Sequence, residues 1–323
     1  MATDNRSASG ASTVTRPHVA VANKLETVSE DAFAYVLLVP TFLLITVVAI
    51  YPLLETFRLS LYTDQLGSVG VGDFVGHANY VDVLAGARDV VLLSGFWYGV
   101  AITLGFALVS VFFETLLGLG MALVLDKEFR GRAFVRMAIL IPWAVPVVIQ
   151  GMIFYLLFEP SIGFAVRPLQ ELGVMSSTPL TTTRDAFVLL ITADVWKTTA
   201  FMALIILAGL QSIDRSLYEV GRVAGATRWQ RFVMITFPLV LPAVLVAMLF
   251  RTLQAMQVYG IVVTMSGCST VPSLTCMVVE SFRANRFATS ATIAFLTAGI
   301  ISIIIGVYLV KFVDSLREIG GDV

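Results

Sequence analysis

Six long, continuously apolar runs constrain the fold of this chain more than any other feature. Each run is long enough for a helix to cross the ~30 Å hydrocarbon core of a bilayer, which takes about 20 mainly apolar residues. The runs are also too long and too uniform for the alternating strands of a transmembrane barrel. They cover roughly Phe33–Leu54, Phe96–Leu125, Met137–Phe158, Phe187–Leu210, Phe237–Met265 and Ala288–Val313. The sequence therefore predicts an all-α, polytopic protein with six transmembrane helices in a lipid bilayer.

The remaining residues predict how the chain is divided. Residues 1–32 are polar and rich in small residues, with no apolar core of a signal peptide, so we expect a disordered tail. Residues 33–313 form the predicted membrane domain, and residues 314–323 a second tail. The net charge of −1, with no basic block, argues against a nucleic-acid partner.

Lys and Arg residues predict the orientation of the helices. They are concentrated in the first tail, in two of the loops and at the C-terminus: Arg6, Arg16, Lys24; Lys127, Arg130, Arg132, Arg136; Arg215, Arg222, Arg228, Arg231; Lys311, Arg317. The other three loops carry fewer: Arg88, Arg167, Arg184, Arg283 and Arg286. Since positive residues accumulate on the cytoplasmic side, both termini are expected in the cytoplasm.

A polar stretch, "YEVGRVAGATRWQRFVMITFPLVLP" (Tyr218–Pro242), interrupts the apolar pattern between the fourth and fifth runs. Ser216 and Glu219 have the spacing of a capping box, and Gly225 is the residue best suited to end the helix that follows. Thr227 and Gln230 form a second such box. The segment at about 213–237 is thus predicted to be helix, glycine corner, helix, on the cytoplasmic side. Its small residues favour close docking of another protein; alternatively, Glu219 only caps its own helix and the arginines only set the topology.

The spacing of this stretch resembles the cytoplasmic loop motif of ABC importer permeases. Glu219, Gly225-Ala226, Phe232, Ile235 and Pro238 match that motif. Val220 and Gly221 stand where two alanines are usual, and Ala224 where an aspartate is common, so no role of that aspartate carries over. The resemblance implies contact with an ATPase through the following residues: Ser216, Tyr218, Glu219, Arg222, Gly225, Ala226, Thr227, Phe232 and Pro238.

A second stretch, "GRAFVRMAILIPWAVPVVIQGMIFYLLFEPSIG" (Gly131–Gly163), is similar to carbohydrate-type permeases related to the larger membrane subunit of the maltose importer. Within that group the chain looks most like the trehalose importers of mycobacteria. The likeness ends after Met265, where "SGCSTVPS" replaces the usual Gly-Gly-Pro turn. It implies import of a carbohydrate, with a disaccharide such as trehalose as the expected substrate.

The source of energy is expected in another subunit. The chain has no G-x-x-x-x-G-K-[ST] loop, and none of its lysines follows a glycine. The resemblance implies a second, similar permease, two ATPase copies that bind ATP and Mg, and an extracytoplasmic sugar-binding protein. The chain itself is expected to be no enzyme and to bind no cofactor.

Polar residues inside the predicted spans are costly and are therefore candidates for function. Glu114, Asp194, Lys197 and Arg251 are charged, and Asp194 and Lys197 are spaced for a mutual ion pair. Arg251, Gln254 and Gln257 recur every three residues. With Tyr259 and Trp196, they are candidates for lining a substrate path, since sugars bind planar hydrogen-bonding groups and aromatic faces. The glutamines suit helix–helix contacts equally well.

Cysteine and histidine usage leaves few other sites. Cys268 and Cys276 fall in one predicted outer loop, and their spacing permits a disulfide without requiring one. His18 and His77 are too few and too far apart for a metal cluster.

Two other classes compete with the importer. In an ion-coupled secondary transporter, Glu114 or Asp194 would be the carboxylate on the path. Such a transporter has no need of the motif at Glu219–Pro238. A membrane enzyme is less favoured, because the chain shows no nucleophile with a base and no metal triad.

Overall fold

The computed structural model describes residues 30–65, 70–88 and 95–320, and only the main chain of residues 30–34, 36 and 315–320. The predicted tail therefore lies outside the described residues, apart from residues 30–32, which begin a helix. The chain divides into two units, residues 1–56 and 57–323. Helix α1 (Glu30–Ile45) of the first unit continues through a π-helical turn (Thr46–Ile50) into α2 (Tyr51–Ser60), whose last four residues belong to the second unit.

The second unit holds the rest of the helices. They are α3 (Ala78–Ala85), α4 (Phe96–Leu125), α5 (Arg132–Ala144), α6 (Val147–Phe158), α7 (Val166–Glu171), α8 (Thr183–Gln211), α9 (Arg215–Val223), α10 (Arg228–Arg231), α11 (Phe237–Met256), α12 (Gly260–Met265), α13 (Leu274–Arg283) and α14 (Phe287–Gly320). A π-helical turn, Phe232–Thr236, joins α10 to α11. Among the described residues, five helices are long and apolar enough to cross a membrane, or six if the bent pair α5–α6 is one span. The prediction of an all-α membrane protein is confirmed.

Two of the six predicted runs are not single helices. The third is bent by 89° between α5 and α6. Val145 adopts an extended conformation there, because the proline that follows disfavours a helical residue before it. The fifth is interrupted between α11 and α12, at residues Gln257 to Tyr259. That run also begins earlier than expected, because α10, the π turn and α11 form one span, Arg228–Met256.

A short antiparallel hairpin was not expected from the sequence. Its strands β1 (Tyr62–Asp64) and β2 (Val71–Phe74) pair with a register shift. Asp64 fastens the hairpin to α14, because the main-chain N–H of Thr289 donates to its carboxylate at 3.0 Å. The same carboxylate pairs with Arg88 at 3.3 Å.

The core of the second unit lies where α4, α8 and α11 pack together. Its largest buried side chains include Leu125, Met202 and Ile206. A second cluster surrounds Phe106, Leu189 and Met256. These three spans therefore form the frame on which the polar residues below are placed.

The two cysteines form a disulfide. Cys268 and Cys276 are bonded with their Cα atoms 5.6 Å apart, and both are buried. Gly267, at φ +83°, turns the chain before the loop, and Ser273 caps α13 after it, which brings the two cysteines together. The sequence left open whether Cys268 and Cys276 form a disulfide, and the structure has one.

Candidate functional site

The polar stretch after α8 folds as two short helices at a corner, which we call the helical corner (Asp214–Arg231). Its first helix, α9, is capped two residues before the predicted position. Asp214 is the N-cap, and its carboxylate accepts from the N–H of Ser216 at 2.9 Å. The predicted Ser216–Glu219 box is therefore wrong, because Asp214, two residues earlier, is the N-cap and Ser216 lies inside the helix. The hydrogen bonds from the main chain and side chain of Ser216 hold the pKa of Asp214 below its ordinary value.

The second half of the corner agrees with the prediction. The N–H of Thr227 donates to the side chain of Gln230 at 2.8 Å, and the N–H of Gln230 donates to the hydroxyl of Thr227 at 3.3 Å. This completes the capping box that starts α10. Gly225 adopts φ +81°, and the N–H of Ala226 donates to the carbonyl of Gly221 at 2.9 Å. The left-handed glycine thus closes α9 and sets the angle between the helices.

The inner face of the corner is fixed to the rest of the second unit. The guanidinium of Arg215 donates to both oxygens of Asp126 at 2.8 and 3.0 Å. The hydroxyls of Tyr218 and Thr236 lie 3.1 Å apart. A Cβ on Gly221 would lie 3.2 Å from the side chain of Ile235, a tight contact that glycine avoids. The corner is therefore held at several points along one side.

The outer face of the corner has no such contacts. Glu219 is exposed and makes no hydrogen bond or ion pair with any described residue. Val220 and Val223 beside it are 68% and 91% exposed. Glu219, Val220 and Val223 therefore form an exposed surface in which an acidic group lies beside two apolar side chains.

The other predicted corner residues are spread over both faces. Ser216, Arg222 and Thr227 are exposed, while Ala226, Phe232 and Pro238 are partly buried. The ring of Phe232 stacks on Trp229, with centroids 5.5 Å apart. Sequence reasoning missed Trp229, which is 70% exposed, and Asp126, whose pairing with Arg215 no local pattern indicates.

Three charged residues of the spans, Glu114, Asp194 and Arg251, form a buried ion cluster together with Thr198. The guanidinium of Arg251 donates to Glu114 at 2.6 and 3.0 Å and also bonds Asp194. The Thr198 hydroxyl donates to Glu114 at 2.7 Å. Because Glu114 is on α4, Asp194 on α8 and Arg251 on α11, the cluster ties the three core spans together.

The predicted ion pair of Asp194 with Lys197 is wrong. Asp194 pairs with Arg251 on another helix, and the ammonium of Lys197 donates to the main-chain carbonyl of Val145. That carbonyl lies at the bend between α5 and α6, where the extended residue and Pro146 interrupt the helical hydrogen bonds. Lys197 therefore satisfies a main-chain group that the bend exposes.

The two interrupted spans lie against each other through α6 and α12. A Cβ on Gly151 would overlap the side chain of Thr264, so α6 and α12 meet backbone to side chain. Gly260, just after the second interruption, lies against Val147, just after the first. We call the two interruptions, at Val145–Pro146 and at Gln257–Tyr259, the paired breaks. The hydroxyl of Tyr259 is buried there without a hydrogen-bond partner in the described part of the chain.

The three polar residues that recur along the fifth run, Arg251, Gln254 and Gln257, lie in different surroundings. Arg251 is buried in the ion cluster at 3% exposure, whereas Gln254 and Gln257 are exposed. Tyr259 is partly buried at the paired breaks. Trp196 is 42% exposed and its ring lies 5.9 Å from that of Phe154 on α6. No group of three or more possible metal ligands occurs within the described ranges.

Comparison with known proteins places this arrangement in a family. Residues 114–317 match the model of the binding-protein-dependent transport system inner membrane component. The chain belongs to this family. It is therefore a membrane-embedded subunit of a transport system in the inner membrane, and not an enzyme.

Two relatives cover most of this inner membrane component. The trehalose/maltose transport system permease protein MalF of Thermococcus litoralis is 40% identical over 238 residues, 74% of this chain and 78% of the relative. The trehalose transport system permease protein SugA of Mycobacterium tuberculosis is 31% identical over 287 residues, 88% of this chain and 90% of the relative.

A solved structure has the same fold. It is a chain of a bacterial ABC transporter involved in the import of the acidic polysaccharide alginate, with a TM-score of 0.73. The identity is 18%, and the match covers 91% of this chain and 98% of that one.

Proposed function

We propose that this chain is one permease subunit of an ATP-driven ABC importer for a carbohydrate, with a disaccharide such as trehalose as substrate. Family membership and two relatives that are named for trehalose or maltose transport support the proposal. The complete importer would contain a second, homologous permease, two ATPase copies that bind ATP and Mg, and an extracytoplasmic sugar-binding protein. Both termini and the helical corner would face the cytoplasm.

The observation that carries the proposal is the difference between the two faces of the helical corner. Its inner face is fixed by Arg215, Tyr218 and Gly221, while its outer face presents Glu219 beside Val220 and Val223. The carboxylate would pair with a basic group of the ATPase, and the valines would enter an apolar groove beside it. Gly225 and the box at Thr227 would keep the two helices at a constant angle.

Movement of the corner would reach the spans directly. The span Arg228–Met256 runs unbroken from the corner to Arg251. Arg251 bonds both Glu114 on α4 and Asp194 on α8. A push from the ATPase would therefore move three spans as one body and open the path alternately to the two sides of the membrane.

The sugar would contact the chain near the paired breaks. Interrupted membrane helices expose main-chain groups and mark binding sites in other transporters. Trp196 offers an exposed aromatic face, and Gln257 and Tyr259 offer hydrogen-bonding groups at the second break. Gln254 is exposed one turn away, while Arg251 would act from within the ion cluster and not by touching the sugar.

Docking is tested with Glu219→Ala, and Glu171→Ala is the matched control because it removes an exposed glutamate from a short helix elsewhere. The chain is purified from its native membrane in mild detergent, and co-purifying proteins are identified by mass spectrometry. An ATPase and a second permease are expected with the unchanged chain and with Glu171→Ala. Glu219→Ala should lose the ATPase and the uptake of radiolabelled trehalose while keeping its thermal stability. Normal ATPase recovery and uptake in Glu219→Ala would sink the docking assignment.

The sugar path is tested separately with Trp196→Ala. Its control, Phe112→Ala, removes an exposed aromatic ring from another span, α4. Aromatic contacts of this kind contribute about 0.5–1.5 kcal/mol beyond burial, so Trp196→Ala should raise the trehalose concentration for half-maximal uptake by roughly threefold to tenfold. An unchanged value in Trp196→Ala would remove this residue from the path.

The ion-coupled alternative gains no support from the geometry. Its two candidate carboxylates, Glu114 and Asp194, are both bonded to Arg251. A coupling ion would have to compete with Arg251 for either carboxylate.

A further inference from the structure

An apolar groove opens between α4 and α5, at the end of α4 that leads into the basic loop. Its volume is about 340 Å³, and it is lined by Leu117, Gly120, Val124, Leu125, Val135 and Ile139, among others. Leu117 and Val124 are about half exposed. No other described helix fills the groove, so an apolar occupant from outside the chain fits it.

Two arginines lie on the same face of α5 as the groove. One side of the helix carries Arg132, Val135, Arg136 and Ile139, because neighbours three or four residues apart lie on the same side. Val135 and Ile139 line the groove, so the helical spacing puts Arg132 and Arg136 on the groove side of α5, with Arg132 at the end of the helix. The Nε atoms of both arginines are buried and have no hydrogen-bond partner among the described residues.

The acidic residues of the same loop do not neutralise these arginines. Asp126 is occupied by Arg215 through two hydrogen bonds. Those hydrogen bonds raise the pKa of Arg215, and Glu128 adds a smaller contribution. Helix α5 also begins at Gly131 without a side-chain cap and without an acidic residue in its first turn. The positive end of the helix therefore adds to the positive charge of the two arginines.

We infer that this groove binds an anionic phospholipid. The acyl chain lies against Gly120, Val124 and Val135, and the phosphate accepts hydrogen bonds from Arg132 and Arg136. An apolar groove continuous with a basic edge matches both parts of such a lipid, whereas a zwitterionic lipid would bring an unpaired ammonium to the arginines. The groove residues Val135 and Ile139 pack in the same hydrophobic cluster as Tyr218 of the helical corner, but the groove itself is lined by α4 and α5 alone. It depends on neither docking nor sugar transport.

The full chain, with whatever co-purifies, is placed in nanodiscs of equal parts phosphatidylglycerol and phosphatidylcholine. The lipids retained are counted by native mass spectrometry. Arg132→Gln with Arg136→Gln should lower phosphatidylglycerol retention about fivefold per arginine, or roughly 25-fold for the pair. Gly120→Leu fills the groove without a clash, since a Cβ there has nothing within 4 Å. It should lower retention by about fourfold for each methylene it displaces.

Two matched controls separate the site from general effects. Gly299→Leu adds the same side chain at another open helical position on α14. Arg167→Gln with Arg184→Gln removes the same charge from loops predicted on the other side of the membrane. Both controls should retain phosphatidylglycerol within about twofold of the unchanged chain, a difference well below the effect of one arginine.

Equal retention of the two lipids by the unchanged chain would overturn the inference, and so would full retention in Gly120→Leu. Millimolar inorganic phosphate could also displace phosphatidylglycerol from the unchanged chain. If it does so while Gly120→Leu retains the lipid as the unchanged chain does, the arginines form a free-anion site and the inference is overturned. If the arginine variant fails to fold, Gly120→Leu alone decides, because that change tests the acyl chain without touching a charge.

Discussion

The helical corner and the buried ion cluster differ in whether their charged side chains have partners within the fold. In the cluster, Arg251 pairs with both carboxylates. Arg251 and Glu114 are each 3% exposed or less. In the corner, Glu219 carries its charge into solvent with no partner in the described structure. A charge inside a membrane must be satisfied within the fold, because no water is available. The charge of Glu219 is hydrated by solvent and, in the function proposed above, would pair with another molecule. Changes in the cluster should therefore alter stability, and changes on the outer corner should alter assembly.

The largest effect is expected from Arg251→Met. Removing the cation leaves two buried carboxylates without their partner, and breaking a buried pair in this way costs about 3–5 kcal/mol. The free energy of unfolding in detergent measures it. Adding Glu114→Gln and Asp194→Asn should recover stability to within about 1 kcal/mol, since a neutral cluster needs no counter-charge. If Arg251→Met alone is as stable as the unchanged chain, the distinction between the two regions is contradicted.

A smaller effect is expected at the turn of the corner. Gly225→Ala places a side chain at φ +81°, where non-glycine residues lose about 1–2 kcal/mol. Hydrogen–deuterium exchange of α9 and α10 should become faster, while exchange in α4 and α8 stays the same. Gly225→Asn is the control, because asparagine tolerates the left-handed conformation better. Equal exchange in the alanine and asparagine variants would rule out the left-handed turn as the cause.

The capping box should contribute somewhat less. Thr227→Ala removes the acceptor for the N–H of Gln230, which costs about 1 kcal/mol. Faster exchange is expected in α10 alone. Thr227→Ser keeps a hydroxyl at the same position and should keep the exchange rate. If serine behaves like alanine, the hydroxyl is not the stabilising group.

The smallest effect is the pH dependence of the start of α9. The pKa of Asp214 is lower in the folded chain than in an unfolded one, so its contribution is present above the unfolded pKa of about 4. It is lost as pH falls through the lower, folded pKa. The measurement is hydrogen–deuterium exchange of the Ser216 amide in the full chain between pH 7 and pH 3, corrected for the intrinsic rate. Asp214→Asn keeps an acceptor and should lack this pH dependence.

Local chemistry made the corner largely predictable. The box at Thr227 and Gln230 spans three residues, and the turn at Gly225 needs only the conformational freedom of glycine. The one local error, the cap of α9, came from two neighbouring residues that could each serve as the N-cap. Nothing in the pattern decides between Asp214 and Ser216, since both residues are good caps.

The sequence by itself determined the membrane spans, their all-helical nature and the glycine corner, because each depends on residues within one helix or one turn. Only the tertiary structure decided which charges pair. Arg251 is 137 residues from Glu114 and 57 from Asp194, whereas the expected partner of Asp194 was three residues away. It also decided that the two interrupted spans meet and that Cys268 bonds Cys276. Burial in a water-free interior makes each polar group take whichever partner the packing brings near, and sequence spacing does not carry that information.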